Sequence, residues 1–119
     1  MTGERVSQDE RGWIRHFALP NERNAYLIFT KKGARRGAET HPWPETVILL
    51  AGELRTRMEK YLDGVKWVLD YCEIAPPNKE HIIPEETAHL FEAKTDCYMV
   101  EVLEGPYEGT KKIPEMLTA

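Results

Sequence analysis

The sequence predicts an all-β domain, folded as an antiparallel barrel or jelly roll. Runs rich in β-branched and aromatic residues recur at short intervals, and proline, glycine, asparagine and aspartate punctuate them. No stretch makes a convincing long helix. About eight to ten short strands are expected, and an antiparallel barrel is the architecture that closes so many of them.

Residues 1 to 11 are polar and are expected to form a loose or partner-dependent arm. Trp13, Ile14, Phe17 and Leu19 mark a first strand over Gly12 to Leu19, closed by Pro20-Asn21. Asn24 to Thr30 carries Tyr26, Leu27, Ile28, Phe29 and Thr30, residues that fit a pleated, half-buried surface. Lys31-Lys32-Gly33 then turns the chain into a polar stretch. That stretch passes through Pro42-Trp43-Pro44 and ends in the apolar run Val47 to Leu50, stopped by Gly52.

The middle of the chain carries a rival signal. Leu50, Leu54, Met58, Tyr61, Leu62, Val65, Leu69 and Cys72 recur at helical spacing, so Val47 to Cys72 could form one amphipathic helix. Gly52 and Asp63-Gly64 would then lie inside it, each glycine costing about 1 kcal/mol relative to alanine. Asp-Gly between two alternating segments is also a strong hairpin signal. Leu54, Thr56 and Met58 alternate with Arg55, Arg57 and Glu59, and Val65, Trp67, Leu69 and Tyr71 alternate with Lys66 and Asp70. A hairpin is the better reading.

Ala75-Pro76-Pro77-Asn78-Lys79 reads as a turn, and His81 to Ile83, His89 to Ala93 and Cys97 to Leu103 read as three more strands. Thr95-Asp96 turns between the last two. Gly105 to Ala119 is a tail with two prolines and a short helix over Pro114 to Leu117. With no repeats and no linker, the 119 residues are expected to form a single domain: arm 1–11, barrel 12–104, tail 105–119.

A net charge of −4 gives no electrostatic reason to expect nucleic acid or an anionic membrane as a partner. The longest apolar run is far short of the roughly 20 residues that span a bilayer. The polar start, Met-Thr-Gly-Glu-Arg, has no signal-peptide pattern. Cys72 and Cys97 lack zinc-ligand spacing and read as buried, reduced thiols, so a cytoplasmic address is expected.

Gly37 to Leu54 concentrates the chemistry. Glu39 and His41 alternate, so a strand would bring both to one face, and Glu45 could join them if Pro42-Trp43-Pro44 bends the chain. The stretch resembles the first sequence motif of the cupin superfamily. That motif is a glycine, about five residues, His-x-His, three or four residues, Glu, six residues and Gly. Glu45 and Gly52 keep its final spacing, His41 takes the place of the second histidine, and Glu39 replaces the first. The second cupin motif, Pro-x-Gly-x-x-His, is matched by Pro84 and His89, with Glu86 in the glycine place. The resemblance runs roughly from Gly33 to Glu104 and implies a double-stranded β-helix, the cupin jelly-roll barrel.

The resemblance also implies a divalent metal held by Glu39, His41, Glu45 and His89. Imidazole and carboxylate ligands suit iron, manganese, nickel or zinc. The competing reading is a metal-free barrel, with the glutamates solvated at the rim and the histidines as polar lining. A small polar ligand or substrate is expected, and catalysis itself is left open. Arg36, beside Arg35, is a candidate contact for an anionic substrate, or part of a solvated turn. Trp43 and Trp67 could line an apolar pocket or pack in the core. His16 and His81 lie off the motifs and read as surface or structural. Asp9-Glu10-Arg11-Gly12 and Lys32-Gly33-Ala34-Arg35-Arg36-Gly37 look like segments of the sugar-nucleotide 3,4-ketoisomerases and dTDP-4-dehydrorhamnose 3,5-epimerases. That narrower likeness implies a metal-free isomerase with His41 as base. Cupins commonly pair, so a homodimer is implied too.

Overall fold

The computed structural model describes residues 5–62, 65–75 and 80–118. Two antiparallel sheets face one another. One has the order β1 (Arg5–Asp9), β2 (Gly12–Ala18), β3 (Asn24–Thr30), β10 (Cys97–Leu103), β5 (Glu45–Ala51) and β8 (His81–Ile83). The other runs β11 (Lys111–Lys112), β4 (Arg35–Thr40), β9 (Ala88–Ala93), β6 (Leu54–Leu62) and β7 (Val65–Ile74). The short helix expected over Pro114 to Leu117 is a 3-10 helix, Pro114–Thr118. No α-helix occurs among the described residues.

The helical reading of the middle fails. β6 and β7 pair antiparallel from Leu54 opposite Ile74 to Leu62 opposite Val65, flanking the expected Asp63-Gly64 turn. That turn, like residues 76–79 of the Pro-Pro-Asn-Lys turn and the side chains of Trp67 and Cys72, lies outside the described residues.

Arg5–Asp9, expected within a loose arm, is instead an edge strand in register with β2, Arg5 opposite His16 and Asp9 opposite Gly12. Its polar composition hid it, because an edge strand needs backbone pairing more than apolar side chains. The Asp9 carboxylate accepts the Arg11 backbone N–H at 2.8 Å and an Arg11 guanidinium N–H at 2.6 Å, closing the turn.

Inward-facing positions change character along three strands. On β10 they read Cys97, Met99, Glu101; on β5, Leu49, Val47, Glu45; on β9, Ala93, Phe91, His89. The apolar members join Ile28, Leu54, Met58, Ile74 and Ile83 in one core at one end of the barrel. Each fully buried large apolar side chain there contributes about 1.5–3 kcal/mol. The ionisable members face the other end, where the barrel opens. A second cluster, Ala38, Ala88, Leu90 and Met116, with Ile113 against it, packs between the outer face of β4–β9 and the tail. The barrel thus has a dry end and a polar end.

Candidate metal centre

A cavity of about 480 Å³ occupies the polar end, and Glu39, His41, Glu45 and His89 all line it. A bulge in β4 is what aims Glu39 inward. Gly37 (φ 95°) and Ala38 (φ 54°) both adopt left-handed backbone, and the register with β9 shifts between Gly37 opposite Leu90 and Glu39 opposite His89. The extra residue reverses the alternation, so Arg36 and Glu39, three apart, both face the cavity while Ala38 turns to the outer cluster. Glycine is required at 37 for a second reason: a Cβ there would lie 2.8 Å from the His89 carbonyl oxygen. On the second motif, Glu86 sits in the left-handed region at φ 58°, which accounts for the glycine that the cupin pattern has there. The Glu86 N–H donates to the His41 carbonyl at 2.7 Å and ties the two motif loops together.

The ligand-type atoms converge. His41 Nε2 lies 2.9 Å from Glu39 Oε2 and 3.5 Å from Glu45 Oε2, and His89 Nε2 lies 3.7 Å from Glu45 Oε1. One ligand atom each from Glu39, His41 and His89 falls within a 4.8 Å span. Among the described residues, His41 Nε2 and Glu45 Oε1 are buried with no hydrogen-bond partner. Both histidines are fixed from behind. The Thr110 hydroxyl donates to the Tyr107 carbonyl at 2.6 Å, so it accepts from His41 Nδ1 at 2.8 Å. His89 Nδ1 donates to the Thr87 carbonyl at 3.4 Å. In the neutral imidazole each Nε2 then turns a lone pair to the cavity, the tautomer a metal requires.

Charge is distributed unevenly. Burial alone would raise the Glu39 carboxyl, but His41 and Lys112 beside it prevail and hold it at about 2. Burial, then Glu101 and Glu39, push Glu45 well above its usual range. Burial and the neighbouring His41 lower His89 to about 4, so its imidazole is neutral near pH 7. An anionic Glu39, a neutral His89 and a Glu45 carboxyl whose charged form is disfavoured share one cavity.

The remaining candidates separate. Arg36 is buried and lines the cavity, but its Nε and Nη2 donate to Thr30 Oγ1 at 2.8 Å and the Phe29 carbonyl at 3.0 Å. Trp43 does not reach the cavity; its ring lies on Gly105 and its Nε1 donates to the Pro106 carbonyl at 3.1 Å. The two prolines flanking it turn the side chain out, and it is 37% exposed. His16, read as surface or structural, lines the cavity, 2.6 Å from Asn24 and stacked on Tyr26. Glu101, Tyr107, Thr110 and Lys112 were missed. Glu101 stood in plain alternation on β10, whereas the tail residues gave no periodic signal.

No protein-family model matches the sequence, and neither does any curated protein. Solved structures do. CapF with the inhibitor 3-isopropenyl-tropolone superposes with a TM-score of 0.77 at 16% identity, over 95% of this chain and 34% of that one. A Bacillus subtilis oxalate decarboxylase variant gives 0.76 at 15%, over 96% and 31%. The fold is that of the cupins. At this identity the likeness is one of fold, and the chain spans about a third of the length of the structures it matches. In cupin terms, Glu39 lies near the end of the first motif strand and His41 just past it, Glu45 opens the next, and His89 stands on the second motif.

Proposed function

We propose that this small cupin binds a divalent transition-metal ion through Glu39, His41, Glu45 and His89, and takes a small polar ligand in the adjoining cavity. The observation that carries this is a convergence of buried lone pairs: His41 Nε2, its other ring nitrogen committed to Thr110, faces Glu39 Oε2 and Glu45 Oε2, and Glu45 Oε1 has no hydrogen-bond partner among the described residues. Buried polar atoms normally find a partner, and a cation would satisfy them at once. The spacing fits: ligands about 2.1 Å from an ion and at right angles stand about 3 Å apart, close to the His41–Glu39 separation of 2.9 Å. Two carboxylates and two neutral imidazoles would balance a divalent charge, which lowers the cost of burial.

Iron, manganese, nickel and zinc all accept this donor set. When bound, such an ion supplies Lewis acidity or redox chemistry. The chain's own contribution is to orient a ligand, through Arg36, Glu101, Tyr26 and the His16–Asn24 pair around the cavity. Elemental mass spectrometry of untagged protein, with His41→Ala and His89→Ala beside it, tests the reading. Near-stoichiometric metal lost in both variants is expected. Wild-type protein that stays empty after incubation with all four ions would sink it, and sugar nucleotides would become the ligands to screen.

A second copy of the chain is the partner proposed, docked on the outer face of β2, β3, β10 and β5. Trp13, Phe29 and Tyr98 cluster there with ring centroids 4.8–6.1 Å apart. Leu27, Val100 and Ile48 continue the apolar face in register, and Tyr98 and Leu50 are exposed.

A further inference from the structure

We infer that the segment from Gly105 to Ile113 is a strap that positions two of the metal ligands, so that its docking and occupancy of the site stabilise each other. This rests on the metal reading above.

Three strap residues spend their polar groups on ligand-type side chains. Lys112 pairs with Glu39 across the β11–β4 register, and its ammonium donates to Glu39 Oε1. The Tyr107 hydroxyl donates to the same oxygen at 3.1 Å and accepts from Lys112 at 3.2 Å. With Oε1 held twice, Glu39 can offer only Oε2, the oxygen beside His41 Nε2. The carboxylate becomes a fixed, one-oxygen ligand. Thr110 does the same for His41, receiving Nδ1–H because its own proton is committed to the Tyr107 carbonyl. The Tyr107 ring lies 5.7 Å from the His41 ring and limits its tilt.

Asn24 and Trp43 anchor its near end, donating to the Gly105 carbonyl at 2.8 Å and the Pro106 carbonyl at 3.1 Å, but between its ends the strap is lightly held. Tyr107, Glu108, Gly109, Lys111 and Lys112 are exposed, and β11 is only two residues long. The backbone bond from Ile113 N–H to the Ala38 carbonyl, 2.6 Å, anchors its far end at the β4 bulge. An element with so little buried apolar surface opens easily. Whatever orders Glu39 and His41 therefore orders the strap, and the coupling is reciprocal.

The test uses the full chain and manganese(II) and zinc as probes. Affinities are measured by calorimetry for wild type, Thr110→Val, Lys112→Met and Lys112→Arg, and backbone hydrogen exchange over 105–113 is followed with and without metal. Metal-free melting curves establish that each variant folds. Weakening of about 10–100-fold is expected in Thr110→Val and Lys112→Met, with partial recovery in Lys112→Arg. Exchange in the strap of the wild type should slow on adding metal. Unchanged affinities with unchanged strap exchange would overturn the inference. So would tighter binding in Lys112→Met, which would make the lysine a competitor for Glu39. A wild type that takes up neither ion overturns the metal reading itself, a result that the variants cannot mimic.

Discussion

Glu101 faces the cavity from β10. Among the described residues it makes no hydrogen bond or ion pair. Burial and then Glu39 raise its carboxyl to about 8, against the pull of Arg36. Between its usual 4.5 and about 8 the folded chain keeps a proton that the unfolded chain has lost, so stability falls as pH rises through that window. His89 acts in the opposite sense: lowered from 6.5 to about 4, its contribution is lost as pH falls through that range. Glu39, lowered from 4.5 to about 2, loses its own contribution below 4.5. Glu45, raised as well, adds to the decline above its usual value and outweighs His89, so metal-free protein should melt highest near pH 4.5, with decline on both sides. Thermal melts of EDTA-treated wild type and Glu101→Gln on both sides of this maximum check it. The glutamine variant should lose much of the alkaline decline, and an identical alkaline limb would contradict the assignment. At this scale Glu39, His41, Glu45 and His89 were legible, since alternation and motif spacing put ligand-type residues where a strand would converge them. Glu101 was missed although its signal was there, the polar third step after Cys97 and Met99.

The β4 bulge was not legible. Alternation predicts faces only while the period stays two, and one extra residue at Gly37–Ala38 reverses everything downstream. Two glycines offer a controlled comparison. Gly33 and Gly37 both sit at positive φ, 86° and 95°, but a Cβ at Gly33 meets nothing within 4 Å whereas one at Gly37 meets the His89 backbone and ring. Gly33→Ala should cost only the backbone strain, about 1 kcal/mol. Gly37→Ala should cost about 2–4 kcal/mol, because the collision adds to the strain, and it alone should weaken metal uptake. Denaturant midpoints and metal content of the two variants decide this; equal costs with equal metal would remove His89 from the argument. The tail failed to read for a different reason. Its contacts to the site come from single residues across a two-residue strand, which leaves no pattern in composition or period.

The whole fold was legible because its strands are short, alternating and separated by strong turn residues. The rival helix shows how narrow the margin was: the apolar spacing between Val47 and Cys72 satisfied both periods, and the glycines broke the tie. The uncovered outer face of the larger sheet makes a prediction at this level. Sedimentation of the wild type should give a dimer mass, and Tyr98→Lys or Leu50→Glu should give a monomer with unchanged circular dichroism. A wild type that stays monomeric at about 100 μM would dismiss that face as a pairing surface.

Glu45 stands on one sheet, on β5, while Glu39 and His89 stand on β4 and β9 of the other. The ligand set proposed, drawn from both walls, would work as a caliper. Its jaws would be set by Leu49, Phe91 and Met99, core side chains packed between the walls. Metal ions differ in preferred bond length by only tenths of an ångström. Which ion fits would then be decided as much by the girth of the oily end as by the ligands themselves. A methylene removed from that core would retune the instrument without touching its jaws.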